Sequence, residues 1–282
     1  MPRRIVPEWG LPDAGFRHRD FAIARMRRPQ AVRLGRGHTL LARYAPVLRG
    51  VLVPAPSDLV FRFANLSSPS EIVNFCKRFG VLRDAPHTPR QRTVREPLRA
   101  WTVTIGAVQG LLNLDAMTKA GQCATREHFE AFDRWKYFLG GLEYPTPDRR
   151  QLSGYDRKIF RHLSDAEFVE HQRWWLLNSI NTLLAESRVI PYADFSDNRV
   201  QVGFRSQDSL MHDEISLLGV LGTQLTCVAA SAKAIDTCAE CGNVFLAERK
   251  RASSRRAFCG TCGRPAALRH AKLDLRRRRT VH

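Results

Sequence analysis

Two pairs of cysteines constrain this chain more than any other feature: Cys238-Ala-Glu-Cys241 and Cys259-Gly-Thr-Cys262. Seventeen residues separate Cys241 from Cys259, inside the range expected of a four-cysteine zinc site. A C-x-x-C knuckle turns both thiolates to one side, and two knuckles complete a tetrahedron about Zn²⁺. Gly242 and Gly263 each follow the second cysteine of a pair, where a tight turn needs backbone freedom. Redox-active dithiols would call for a thioredoxin-like βαβ setting, which the surrounding sequence lacks. An iron–sulfur cluster could use the same thiolates. With all four positions filled by cysteine, no coordination site is left for water or substrate, so the expected role of the zinc is structural. A small hairpin is expected between the knuckles, from 243–246 and 256–258. Phe245 and Phe258 are the large apolar groups available to pack there. With so little core, residues 237–282 would need the metal to fold. His270, eight residues past Cys262, reads as a surface histidine rather than a fifth candidate ligand. Cys76, Cys123 and Cys227 match no site spacing and read as ordinary small residues.

Charge indicates the kind of partner. Net charge is +18, and 38 of the 45 basic residues are Arg, the side chain suited to bidentate phosphate contact. Residues 1–50 carry +8, residues 51–248 carry −1, and residues 249–282 carry +11. A polyanion, nucleic acid before anionic membrane, is the expected partner. Past the second knuckle, residues 266–279 have good helix propensity. Leu268, Ala271 and Leu275 share one face, and Arg264, Arg269, Lys272, Arg276 and Arg279 occupy much of the rest. Those five are the candidate nucleic-acid contacts, a helix set into a groove or along phosphates by the zinc.

The remainder reads as a helical body. A basic arm is expected over 1–36, with a short helix near 21–28, and extended or mixed segments over 40–53, broken at Pro46. Residues 59–63 could be a strand or a short helix. Ser68-Pro69-Ser70-Glu71 is a capping box with proline at the first helical position, and Gly80 ends that helix. A polar loop over 83–92 precedes a long helix over 96–119, with Leu98, Trp101, Ile105, Val108 and Leu112 at helical spacing. A linker is expected over 144–150. Ser164 with Glu167 opens another helix, in which Trp174-Trp175 reads as rim and core. Residues 189–195 and 199–204 read as a hairpin turned at Ser196-Asp197-Asn198, with Pro191 marking an edge strand. A core helix is expected over about 208–235. Its uncharged stretch, 215–232, contains five hydroxyl or amide side chains, so burial in protein fits better than a membrane span. The N-terminus shows no apolar run behind Arg3-Arg4, so no signal peptide is expected and the cytoplasm is the expected compartment.

The fold expected is mainly α with a small β-hairpin (α+β), in three parts. These are a basic arm (1–36), a helical domain (37–236) for sensing a small-molecule effector or forming a homodimer, and a zinc-ribbon or treble-clef module with a basic helix (237–282). Residues 237–279 resemble the C-terminal finger of the CGNR zinc finger family of bacterial proteins: the two Cys pairs, the aromatics Phe245 and Phe258, and the trailing Ala/Arg helix correspond. Phe63-Ala64-Asn65-Leu66 and the 74–80 segment, Asn74 to Gly80, are similar to segments of that family's N-terminal domain. Where the family has Cys-Gly-Asn-Arg, this chain has Cys262-Gly263-Arg264-Pro265. The resemblance implies a zinc-dependent DNA-binding transcriptional regulator. An RNA- or ribosome-binding module fits the charge equally well. A nucleic-acid-processing enzyme would need clustered acids or histidines beside the finger, which 237–282 lacks. The chain has no G-x-S-x-G, P-loop or G-x-G-x-x-G motif, and no catalytic role is expected. Glu170-His171 and His212-Asp213-Glu214 read as solvated helix faces.

Overall fold

A computed structural model describes residues 25–44, 51–82, 93–139, 163–196, 199–206, 215–231, 235–247, 256–263, 265–270 and 272. In chain order the strands and helices are β1 (Arg25–Arg28), β2 (Ala31–Gly35), β3 (Thr39–Arg43), β4 (Val51–Pro54), α1 (Leu59–Ala64) and α2 (Pro69–Phe79). Then follow β5 (Thr93–Pro97), α3 (Leu98–Lys119), α4 (Arg126–Leu139), α5 (Asp165–Glu186), β6 (Val189–Ser196), β7 (Arg199–Ser206), α6 (Leu217–Ala230), β8 (Ile235–Thr237) and β9 (Val244–Leu246). The protein is α+β: a helical centre flanked by small antiparallel sheets, with the four-cysteine cluster toward the C-terminus.

Local chemistry sets several of these elements. Ser68 accepts from the Glu71 amide, and the Glu71 carboxylate accepts from the Ser68 amide at 3.0 Å, satisfying amides that the first turn of α2 leaves open. Ser164 and Glu167 do the same for α5. Gly80 ends α2 at φ +96°, and a Cβ there would lie 2.8 Å from the Arg27 carbonyl oxygen, so only glycine fits.

Other elements differ from the sequence expectation. Residues 25–28 form a strand paired with β4, not a short helix, and residues 31–35 pair with β3. The described part of the expected arm, from Arg25 onward, therefore contributes strands to the body's sheets. The long helix starts at Leu98, because Glu96 precedes a proline and is held extended; Thr93–Pro97 becomes the third strand of a β2-β3-β5 sheet. The core helix is shorter than 208–235: Ser216 caps it, it ends at Ala230, and Ile235 starts a strand. Helix α4 was not foreseen, although Phe129, Phe132 and Trp135 recur at three-residue intervals and are all buried. The 189–204 hairpin is present as β6 and β7, in register from Val189↔Ser206 to Ser196↔Arg199. The 83–92 loop, the 144–150 linker, Asp197-Asn198 and His212-Asp213-Glu214 lie outside the described residues. Trp175 is buried and Trp174 exposed, as rim and core require.

Helix α3 is the centre of the molecule. It buries Trp101, Ile105, Val108 and Leu112 on one side, and Ala107, Leu111 and Leu114 on another, the pattern of a helix surrounded by protein. Phe63 and Phe75 pack against Trp101, at centroid separations of 5.9 and 6.5 Å. A second aromatic group, Phe129, Phe132, Trp135 and Trp175, joins α4 to α5. Buried polar atoms are paired across elements. Gln172, fully buried, accepts from the Ala124 amide at 2.8 Å and donates to Thr118 Oγ1 at 2.7 Å. Lys119 reaches the Val228 carbonyl at the C-terminal end of α6 and pairs with Asp115 at 2.8 Å, a cation where the helix dipole favours one. No described helix is long and apolar enough to cross a membrane.

Candidate metal centre

The C-x-x-C pairs build two matching turns. In the first, the Gly242 amide donates to the Cys238 carbonyl at 2.9 Å; in the second, the Gly263 amide donates to the Cys259 carbonyl at 2.8 Å. Gly242 and Gly263 take φ of +73° and +37°, the left-handed backbone that glycine adopts without a steric cost. The Ala239 amide donates to the Ala257 carbonyl at 2.8 Å and joins the two turns.

The four sulfurs converge. One ligand atom from each of Cys238, Cys241, Cys259 and Cys262 lies within 4.8 Å of all the others. Cys241 Sγ and Cys259 Sγ are 3.7 Å apart. A tetrahedron with metal–sulfur bonds of about 2.3 Å has edges of about 3.8 Å, so the donor set fits a single zinc ion. Burial works against the Cys238 thiolate, but the backbone amides of Cys259, Cys241 and Glu240 aimed at its sulfur outweigh it and draw the thiol down to about 6. Cys241 and the other thiols beside Cys262 push that group up to about 12. Four thiolates this close need a cation between them, and a bound divalent metal supplies it. Cys76, Cys123 and Cys227 are outside the cluster. Burial raises the Cys227 thiol to about 11 and the Cys76 thiol further, as expected of unreactive cysteines.

The surroundings differ from the expected hairpin between the knuckles. Strand β9 pairs with β8, from Ile235↔Leu246 to Thr237↔Val244, so the first knuckle is itself the hairpin's turn. Residues 256–258 belong to neither a strand nor a helix. The second knuckle runs into a helix through 265–270, with the Ala266 amide donating to Cys262. The second cysteine pair therefore opens directly into a helix.

Two residues important here were not singled out in the sequence. Glu240, between the first two cysteines, takes Arg269 at 2.6 Å on one oxygen and His270 Nε2 at 2.9 Å on the other. These partners, Arg269 first, hold its carboxyl below the usual range. His270 Nδ1 faces Arg256 at 2.9 Å, and its ring lies 5.3 Å from that of Phe258. His270 is therefore a strut between the helix and both knuckles, not a ligand. Arg269 is engaged with Glu240, Lys272 is exposed, and Arg264, Arg276 and Arg279 lie outside the described residues.

The second residue is Asn65. Its amide donates to the Val244 carbonyl and accepts from the Val244 amide, both at 3.1 Å. With Ile235 and Val244 in the main core cluster, this docks the metal hairpin on the body. Asn65→Ala leaves both Val244 backbone groups unpaired and is expected to cost about 2 kcal/mol or more, with zinc retained because no ligand changes. Chemical unfolding beside elemental analysis checks it; an unchanged midpoint would dismiss the clamp.

Comparison with family models, curated proteins and solved structures finds no match to this chain.

Proposed function

We propose that the protein is a zinc-dependent DNA-binding regulator of transcription, of the bacterial CGNR type that its finger resembles. The observation that carries the reading is a metal centre whose second knuckle opens directly into a helix, within the segment where charge is densest, +11 over 249–282. The metal seats the start of that helix, and the Glu240 pairs with Arg269 and His270 set its direction. With Arg269 engaged at its base, the phosphate contacts fall to Arg264, Lys272, Arg276 and Arg279. The helical body supplies the regulatory half, through an effector or self-association.

Deleting residues 273–282 tests this while leaving the four cysteines and Glu240 in place. The deletion removes four arginines, Arg276 to Arg279. Two of the assigned contacts, Arg276 and Arg279, go with it, so the slope of log affinity against log salt on duplex DNA should become shallower by about 1.8. Binding with unchanged affinity and slope would discard the helix as the DNA contact.

A further inference from the structure

The β2-β3-β5 sheet turns one face to α2 and the core, and the other to solvent. Val32, Leu40, Ala42 and Glu96 are buried on the inner face. Register places Arg33, Leu41 and Arg95 in one row of the outer face, and Ala31, Arg43 and Thr93 in the next. Arg33, Arg43 and Arg95 are all exposed. Strand spacing puts the α-carbons of Arg33 and Arg95 about 10 Å apart, with Arg43 about 7 Å further along the middle strand.

Among the described residues, these three arginines have no acid partner. Arg62, Arg134, Arg173 and Arg269 pair with Asp58, Glu130, Glu170 and Glu240. No described carboxylate pairs with Arg33, Arg43 or Arg95. The one acid of the three strands, Glu96, faces inward, where it accepts from the Leu82 amide at 3.1 Å and from Trp101 Nε1 at 2.9 Å. The face therefore carries three uncompensated positive charges on a framework held by its buried side. The adjoining β2–β3 turn adds exposed Arg36 and His38.

We propose that this face is a second DNA contact, binding the phosphate backbone of a duplex through Arg33, Arg43 and Arg95. The inference rests on the DNA-binding reading above and extends it to a surface far from the cysteines in sequence. Charge complementarity selects a polyphosphate. The outer rows contain no aromatic residue, so the face offers nothing for unstacked bases, which single-strand binders require. Guanidinium groups spaced across a flat sheet suit the regularly placed phosphates of a duplex, contacts that position without reading sequence.

The test uses the full chain and a short random-sequence duplex. Arg33, Arg43 and Arg95 are replaced together by Gln in one variant and by Lys in a second. Loss of three phosphate contacts should make the salt slope shallower by about 2.7, so that the Gln variant loses about 40-fold less affinity than the wild type between 50 and 200 mM salt. The Lys variant, keeping the charges, should retain most of the slope. Wild-type binding with an unchanged slope in the Gln variant overturns this inference and leaves the finger reading standing. Equal losses in the Gln and Lys variants would mark a structural effect and also overturn it. Absence of duplex binding by the wild type at low salt overturns both readings. Binding to anionic vesicles that the Gln variant loses, with its DNA slope intact, would assign the face to a membrane instead.

Discussion

Replacing Cys238 with serine is expected to take zinc from about one equivalent per chain to near zero, and to unfold the chain beyond the first knuckle. Cys238 and Cys259 are the two buried members of the set, and the Cys238 thiol has the backbone amides of its own turn aimed at it. A hydroxyl there supplies no thiolate. Structural zinc contributes on the order of 10–16 kcal/mol to binding in isolated finger peptides, as much as the whole stability of a typical domain. Residues 256–272 have little else to hold them: Ala257 and Ala266 are small, and the Glu240 ion pairs are solvent-exposed and weak. Chelation should act as the substitution does. Elemental analysis reads the metal, and limited proteolysis reads the order of the segment. The far-UV signal of α1 to α6 should survive, since their aromatic groups lie in the body. Full zinc retention, or an iron–sulfur absorbance, would reject the assignment. Collapse of the helical signal along with the zinc would show that the body does not stand without the finger.

The second large effect is expected at the centre of the body. Trp101 is fully buried, packs against Phe63 and Phe75, and donates its Nε1 hydrogen to Glu96 at 2.9 Å. Trp101→Ala removes the aromatic volume and leaves the buried Glu96 with one donor fewer. A loss of about 3–5 kcal/mol is expected from the cavity, enough to unfold a marginal domain. Trp101→Phe keeps most of the packing and should cost less, with the lost hydrogen bond as its main term. Trp174, exposed at 57%, serves as the control: its replacement by alanine should shift stability by less than about 0.5 kcal/mol. Equal effects at the two tryptophans in urea unfolding would contradict the placement of α3.

What could be seen in the sequence was set by residues close to one another in it. The two capping boxes each join a serine to a glutamate three positions on, and both are present. Each cysteine knuckle closes within five residues, and Gly242 and Gly263 take the positive φ that the spacing demanded. What could not be seen depends on distant partners. Strand β5 exists because Thr93–Pro97 meets β3, some fifty positions earlier, and helical periodicity alone carried the reading of α3 two residues too far. The Asn65 clamp spans 179 positions, and the Glu240–Arg269 pair spans 29. Glu240 did leave a signal, as an acid between two metal ligands beside a strongly basic tail. The arginines were legible as charge, but not which of them pair with acids and which remain open on a sheet.

The position of Asn65 has a consequence for how opening of the molecule can be watched. Its amide occupies the outer edge of β9, so the Val244 amide proton is held by a side chain of the body rather than by the partner strand. That proton can exchange with solvent only when hairpin and body part, even if the β8–β9 ladder stays closed. Amides shared between β8 and β9 exchange when the hairpin itself opens. The ratio of the two rates, with and without metal, separates undocking of the metal module from its unfolding. One backbone proton thereby becomes a native reporter of whether the two halves of the chain move together.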